Sequence, residues 1–114
     1  MKVKVVQDYP NKWEFQGEFP NFAKGTPVSL AKDEDEDFPG WYAADILGHQ
    51  PYVPIGFVSD GKLNRDYNPT ELIQKVGDVL DVHEIVNAWV LATNSDGVTG
   101  WITAEVVVSV IAAA

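Results

Sequence analysis

The sequence predicts an all-β fold made of small barrels or sandwiches, and three observations support this. Short stretches rich in Val, Ile and aromatic residues recur along the 114-residue chain, whereas few windows show helical periodicity. Turn signals containing Gly, Pro, Asn or Asp separate these stretches. The same order of landmark residues also occurs twice. Apolar residues make up 46% of the chain, which is enough for a packed core.

About ten strands are expected between these turn signals. Asp96-Gly97 lies between two strand-like stretches and is the clearest hairpin signal, because both residues tolerate positive φ. Further breaks fall at Pro39-Gly40, at Gly48 and at Asp60-Gly61. The clearest strands, in chain order, cover residues 3–6, 27–30, 41–46, 52–54, 79–84, 88–94, 98–102 and 106–110.

The internal repeat predicts two domains of similar construction. In the first half the landmarks are Asp8-Tyr9, Gly25, Trp41 and a last strand ending at Val58. In the second half they are Asp66-Tyr67, Gly77, Trp89 and a last strand reaching Val107. We therefore expect domains at 1–60 and 61–111, packed closely because the link at 59–62 is short. The terminal alanines 112–114 are expected to be a cloning remnant.

The charge balance argues against nucleic acid and acidic membranes as partners. The 17 acidic and 8 basic residues give a net charge of −9, and a field of that sign repels phosphate groups. No apolar stretch is long enough for a signal peptide or a membrane span. The chain has no cysteine, which fits a reducing compartment, so we expect a cytoplasmic protein.

Catalysis is not expected from these residues. The two histidines, His49 in a turn and His83 in a strand, lie in no signature motif. No phosphate loop, dinucleotide fingerprint or zinc motif is present, so no cofactor or metal is expected. Chemistry by paired carboxylates stays open, because acidic residues are plentiful.

Four motifs in each half occur in the order of a known family. In the second half they are RDYNPTEL, KVGDVLDVHEI, AWVLATNSDGVTGW and ITAEVVVS. In the first half they are VVQDYP, FAKGTPVSLA, GWYAADILG and YVPIGFV. On these motifs both halves resemble Src-homology-3 (SH3-like) domains, in a tandem of the bacterial type. The resemblance covers nearly all of residues 3–110 and implies two tandem five-stranded SH3-like barrels. It also implies binding of extended, often proline-rich segments on an aromatic floor.

The resemblance places a ligand groove on the first copy. Tyr9 matches the tyrosine of the opening motif, and Trp41 matches the groove tryptophan. Pro54 matches the groove proline, and Phe57 stands where a second tyrosine is usual. Gln7 departs from the pattern, since an aromatic residue is usual there.

The second copy keeps less of this groove. Tyr67 and Trp89 match the pattern, but Thr103 replaces the proline and Val106 replaces the tyrosine. Arg65 occupies the other aromatic position. The resemblance therefore implies that the peptide groove of the second copy is lost.

An acidic run precedes Trp41 and consists of Asp33, Glu34, Asp35, Glu36 and Asp37. One interpretation is electrostatic selection of a basic ligand, which acts over about 8 to 10 Å in physiological salt. The alternative is a solvated loop that only increases solubility. A calcium site is not expected, because the glycine and glutamate of the EF-hand pattern are absent.

These observations predict a non-enzymatic protein or peptide interaction module, with a ligand that is basic and contains proline. Adjacent strand residues point to opposite faces, so only one of Trp41 and Tyr42 can face the core. Trp41 and Trp89 therefore have an alternative role as core residues. The alternative function is a structural or assembly protein that self-associates through exposed aromatics, and a small enzyme ranks third.

Overall fold

The structure is a computed structural model that describes residues 1–10 and 18–110. It confirms the all-β prediction, since two short 3₁₀ helices are the only helical elements in those ranges. Each of the clearest predicted strands overlaps an observed strand. Residues 112–114 lie outside the described part of the chain.

The described elements follow in chain order. The strands are β1 Lys2–Val5, β2 Ser29–Leu30, β3 Trp41–Asp45, β4 Tyr52–Pro54, β5 Val58–Ser59, β6 Lys62–Leu63, β7 Val79–Val86, β8 Trp89–Thr93, β9 Thr99–Thr103 and β10 Val107–Ser109. The 3₁₀ helices cover Ile55–Phe57 and Ala104–Val106.

The chain forms two compact units that differ from the predicted domains 1–60 and 61–111. Unit 1 combines Met1–Gly17 with Thr70–Ala114, and unit 2 is the continuous segment Glu18–Pro69. Strands β1, β7, β8, β9 and β10 belong to unit 1, and β2 to β6 belong to unit 2. The N-terminal strand is therefore part of the same unit as the C-terminal half of the chain.

Unit 1 contains an antiparallel sheet with the strand order β10-β1-β7-β8-β9. This order has two open ends, so the hydrogen-bonded strands do not close into a barrel. Strand β1 lies inside the sheet, where Val3 is opposite Leu80 of β7 and Ser109 of β10. Its apolar face contributes to a core formed by Val3, Val5, Leu72, Leu80, Val90, Ala92, Ile102 and Val106.

Unit 2 contains a three-stranded sheet, β2-β3-β4, and a two-stranded sheet, β5-β6. The turn between β5 and β6 is Asp60-Gly61, with φ values of 53° and 74°. Two residues with positive φ make the tight hairpin that joins neighbouring antiparallel strands. This turn therefore holds β6 against β5, at the position where the sequence predicted only a link between domains.

The Gly landmarks of the two repeats make matching hydrogen bonds. In unit 1 the N–H of Gly77 donates to the C=O of Val5 at 2.8 Å. In unit 2 the N–H of Gly25 donates to the C=O of Leu63 at 2.8 Å. Each glycine thus contacts the opening strand of the other repeat, since Val5 precedes Asp8-Tyr9 and Leu63 precedes Asp66-Tyr67.

The Asp landmarks follow the same pattern. The Asp8 carboxylate accepts a hydrogen bond from the N–H of Val76 at 2.8 Å, and that of Asp66 accepts one from the N–H of Lys24 at 2.8 Å. Each unit is therefore built from the opening segment of one repeat and the later strands of the other. We call this arrangement the exchange of opening segments. The Asp60-Gly61 hairpin holds β6 against β5 in unit 2, and β1 completes the sheet of unit 1.

Candidate functional site

Three of the four predicted groove residues are buried in unit 2. Trp41 on β3 lies opposite Pro54 on β4, and the Trp41 side chain is only 4% exposed. Pro54 is fully buried, and Phe57 is buried in the 3₁₀ helix that follows β4. Trp41 is thus a core residue of unit 2, which is the alternative role expected for it, and the part of these positions in ligand binding stays a prediction.

The landmark tyrosine that lies in unit 2 is Tyr67, which the sequence assigned to the second copy. Its ring packs edge-on against Phe57, with the centroids 5.5 Å apart and the planes at 80°. Its hydroxyl donates to the C=O of Tyr52 at 2.6 Å. The guanidinium of Arg65 lies 4.0 Å from the centroid of the Phe57 ring. These contacts hold the buried rings of Phe57 and Tyr67 together inside unit 2.

The predicted groove residue Tyr9 belongs to unit 1. Its backbone N–H and C=O both bond to Gln74, at 2.9 and 2.7 Å, which holds the residue against the segment before β7. Its ring meets that of Trp89 edge-on, with the centroids 6.3 Å apart and the planes at 88°. Its hydroxyl donates to the carboxylate of Glu71. Both rings are half-buried, so each keeps part of its surface open to solvent.

Thr103 lies directly opposite Trp89 on the neighbouring strand β9. Its side chain is buried at 6% exposure, and Oγ1 has no hydrogen-bond partner among the described residues. The equivalent pair in unit 2 is Trp41 and Pro54, where the proline has no side-chain hydroxyl. Unit 1 therefore contains an unpaired buried polar atom at a position where unit 2 is apolar.

The acidic run has a partly structural role. The Glu34 carboxylate accepts a hydrogen bond from the N–H of Gly40 at 2.9 Å. The Asp35 carboxylate accepts from the N–H groups of Asp37 and Phe38, at 2.9 and 3.1 Å. Both side chains thus shape the loop that leads into β3. The other carboxylates of the run are exposed, and their selection of a basic ligand stays a prediction.

The described residues give a limited range of other chemistry. Within residues 1–10 and 18–110, no three His, Asp or Glu side chains are placed to hold one metal ion. No helix in those ranges is long and apolar enough to cross a membrane. The ring of His49 contacts Phe22, with the centroids 5.6 Å apart, and is therefore engaged in local packing.

The grouping that emerges is the Tyr9–Trp89 site, which consists of Tyr9, Glu71, Trp89 and Thr103. It brings together two half-buried aromatic rings, one carboxylate and the buried side chain of Thr103. Sequence reasoning missed Glu71 and the pairing of Tyr9 with Trp89. The Asp60-Gly61 hairpin was the available signal, because it determines which opening segment joins which set of strands.

Comparison with protein-family models, with curated proteins and with solved structures finds no match to this chain.

Proposed function

We propose that this chain is a non-catalytic interaction module that binds an extended peptide at the Tyr9–Trp89 site. The observation that carries the proposal is the half-exposed edge-on pair of Tyr9 and Trp89 beside the carboxylate of Glu71. Aromatic residues with partly open rings are the side chains that most often anchor a partner. The equivalent Trp41 in unit 2 is buried and has no such surface.

We further propose that each unit is SH3-like. Each contains five strands, and in each a 3₁₀ helix connects the strand that faces the landmark tryptophan to the strand that follows. The matching hydrogen bonds of the Gly and Asp landmarks support a common origin of the two units. The exchange of opening segments then explains why the ring of Tyr9 contacts that of Trp89.

The ligand in this proposal is an extended segment that contains proline and a basic residue. A proline-rich segment is already extended in solution and loses little entropy on docking against aromatic rings. The net charge of −9 attracts a basic segment, and Glu71 places one negative charge inside the site.

The experiment is titration of the full chain against an array of proline-containing decapeptides, each made with and without one arginine. Trp89→Ala should weaken binding by about 2 kcal/mol, roughly thirtyfold, as truncation of a central aromatic anchor does. Tyr52→Ala is the matched control, because Tyr52 is an aromatic side chain of unit 2 that is 40% exposed. It should leave the affinity unchanged.

Equal effects of Trp89→Ala and Tyr52→Ala would contradict this placement of the site. Trp41→Ala is informative in a different way, since loss of a buried tryptophan should lower stability by about 3–5 kcal/mol. The alternative of self-assembly predicts that the wild type forms concentration-dependent oligomers that Trp89→Ala abolishes. Sedimentation of both proteins over a range of concentrations distinguishes the two functions.

A further inference from the structure

The five-stranded sheet of unit 1 has one edge that is paired and one that is not. At the β9 end, the N–H of Leu72 donates to the C=O of Trp101 at 2.8 Å, and the N–H of Trp101 donates to the C=O of Thr70 at 2.9 Å. At the β10 end, β1 is the only neighbouring strand among the described residues. The side of β10 that faces away from β1, which we call the β10 edge, is therefore open.

The β10 edge presents backbone groups that have no partner. The N–H of Val110 donates to the C=O of Lys2 at 2.9 Å, so the backbone of Val110 points toward β1. Alternate strand residues bond to opposite sides, so the backbone groups of Val107 and Ser109 point to the β10 edge. The Val107 N–H bonds to the C=O of Ala104 in the preceding 3₁₀ helix. The C=O of Val107 and both backbone groups of Ser109 are left unpaired in the described part of the chain.

The β10 edge also lacks the features that protect most edge strands, which are charged side chains, prolines and bulges. Strand β10, Val107–Ser109, carries no charge and pairs with β1 in an unbroken register. The Val108 side chain is 50% exposed, and it shares the outward face of the sheet with Lys4 and with Val79, which is 44% exposed. An open edge of this kind is a template for a strand from another chain.

The charges around the β10 edge favour a second copy of this chain as the partner. Two β10 strands that pair antiparallel are related by twofold symmetry, so the start of each lies beside the end of the other. Glu105 precedes β10, whereas Lys2 pairs with Val110 at its far end. Each Glu105 therefore lies at the end where the other copy has Lys2. The net charge of −9 opposes association, but charges farther apart than about 8–10 Å are largely screened.

We infer that this chain forms a dimer in which two β10 strands pair antiparallel about a twofold axis near Val108 and Ser109. The N–H of Ser109 in each copy donates to a backbone C=O of the other. The Val108 side chains of both copies pack together on the outward face, where the two sheets become continuous. The Tyr9–Trp89 site takes no part, so the inference is independent of the proposed peptide binding.

The test is sedimentation equilibrium of the full chain over roughly 10 µM to 1 mM, the range in which a small interface associates. The wild type should change from monomer to dimer. Ser109→Pro should raise the Kd of the dimer about tenfold or more, because both copies lose a hydrogen bond. An edge strand tolerates a proline whose missing N–H faces solvent, so the monomer should still fold. Ser109→Ala keeps the N–H and should dimerise like the wild type.

A matched pair of lysine variants tests the β10 edge without a change in the backbone. Val108→Lys places a charge on the β10 edge and should raise the Kd by about tenfold or more. Val79→Lys changes the net charge by the same amount on the same face, but β1 separates β7 from β10. It should dimerise at least as tightly as the wild type. Far-UV circular dichroism of both variants checks that the fold is kept.

Three results overturn the inference. The first is a wild type that stays monomeric at the highest concentration. The second is a dimer that survives both Ser109→Pro and Val108→Lys, because the contact then lies elsewhere. The third is loss of the dimer in Trp89→Ala, which assigns the contact to the Tyr9–Trp89 site, whereas pairing of β10 predicts that Trp89→Ala dimerises like the wild type. Each result leaves the peptide titration to stand or fail separately.

Discussion

Each unit has a tryptophan at the equivalent position of an equivalent hairpin, but the two tryptophans differ in burial. In unit 2 Trp41 lies opposite Pro54 and is buried, whereas in unit 1 Trp89 lies opposite Thr103 and is half-buried. The 3₁₀ helix that follows supplies Phe57 in unit 2 and the smaller Val106 in unit 1. The landmark tryptophan thus packs in the core of unit 2 and keeps part of its ring exposed in unit 1. The residues around it differ between the two units.

Substitution of Gly100, which lies on β9, tests how tightly unit 1 is packed and is expected to have a large effect on stability. A Cβ atom at Gly100 would lie 2.8 Å from the C=O oxygen of Thr70 and 3.2 Å from the Leu72 side chain. Because the nearest atom is backbone, Gly100→Ala should lower the free energy of unfolding by about 1–3 kcal/mol, as measured by urea denaturation. Gly56→Ala in unit 2 is the control, since open space surrounds that position. Equal stability of the two variants would contradict the close packing.

Two Tyr→Phe variants test whether the landmark tyrosines of the two units differ in their contribution to stability. Tyr67→Phe removes a buried hydroxyl that donates to Tyr52 and should cost about 1–2 kcal/mol in urea denaturation. Tyr9→Phe removes a hydroxyl from a half-buried ring and should cost less, under about 1 kcal/mol. A larger loss for Tyr9→Phe would mean that Tyr9, and not Tyr67, is the structural tyrosine.

The smallest expected effect is a pH dependence of the stability of unit 1. It involves Lys2 on β1 and Asp81 on β7, which lie opposite each other. The ammonium group of Lys2 donates a hydrogen bond to the Asp81 carboxylate at 2.7 Å, and this contact lowers the pKa of the Asp81 carboxyl. A pKa that is lower in the folded than in the unfolded chain stabilises the fold above the unfolded value. That stabilisation is lost as the pH falls through the folded value.

Lys2→Met should therefore melt slightly below the wild type at neutral pH. The difference should shrink as the solution is acidified below about pH 4, where the carboxyl of the unfolded chain becomes protonated before that of the folded protein. Melting temperatures of both proteins across this range provide the measurement. A difference that grows on acidification would show that the contact does not lower the pKa of Asp81.

Much of the local structure could be predicted from residues that act over short distances. The Asp96-Gly97 turn joins β8 to β9 as expected, and the carboxamide of Asn94 further orders it by accepting the N–H of Val98 at 3.0 Å. Strand alternation required one of Trp41 and Tyr42 to face the core, and Trp41 does so. These features depend only on turn chemistry and on the two-residue period of a strand.

The assignment of residues to units could not be predicted in the same way. Asp8-Tyr9 and Asp66-Tyr67 are alike, so either segment fits either set of later strands by sequence alone. Asp60-Gly61 is a tight turn that pairs β6 with β5 in unit 2, whereas the sequence predicted a boundary between domains at this turn. The predicted site consequently grouped Tyr9 with Trp41, although the structure pairs it with Trp89.

The exchange of opening segments is tested most directly by hydrogen exchange on two matched core variants, Val5→Ala and Leu63→Ala. Both side chains are buried on opening strands, at 0% and 2% exposure. Val5→Ala should speed amide exchange in β7 and β10, and Leu63→Ala should speed it in unit 2, each by tenfold or more for a loss of about 1.4 kcal/mol or greater.

Val5→Ala is expected to act on the strands of the C-terminal half, because β1 pairs with β7 and β10. If Val5→Ala instead speeds exchange first in β2, β3 and β4, while Leu63→Ala speeds it in β7 to β10, each opening segment belongs to its own repeat and the exchange is wrong.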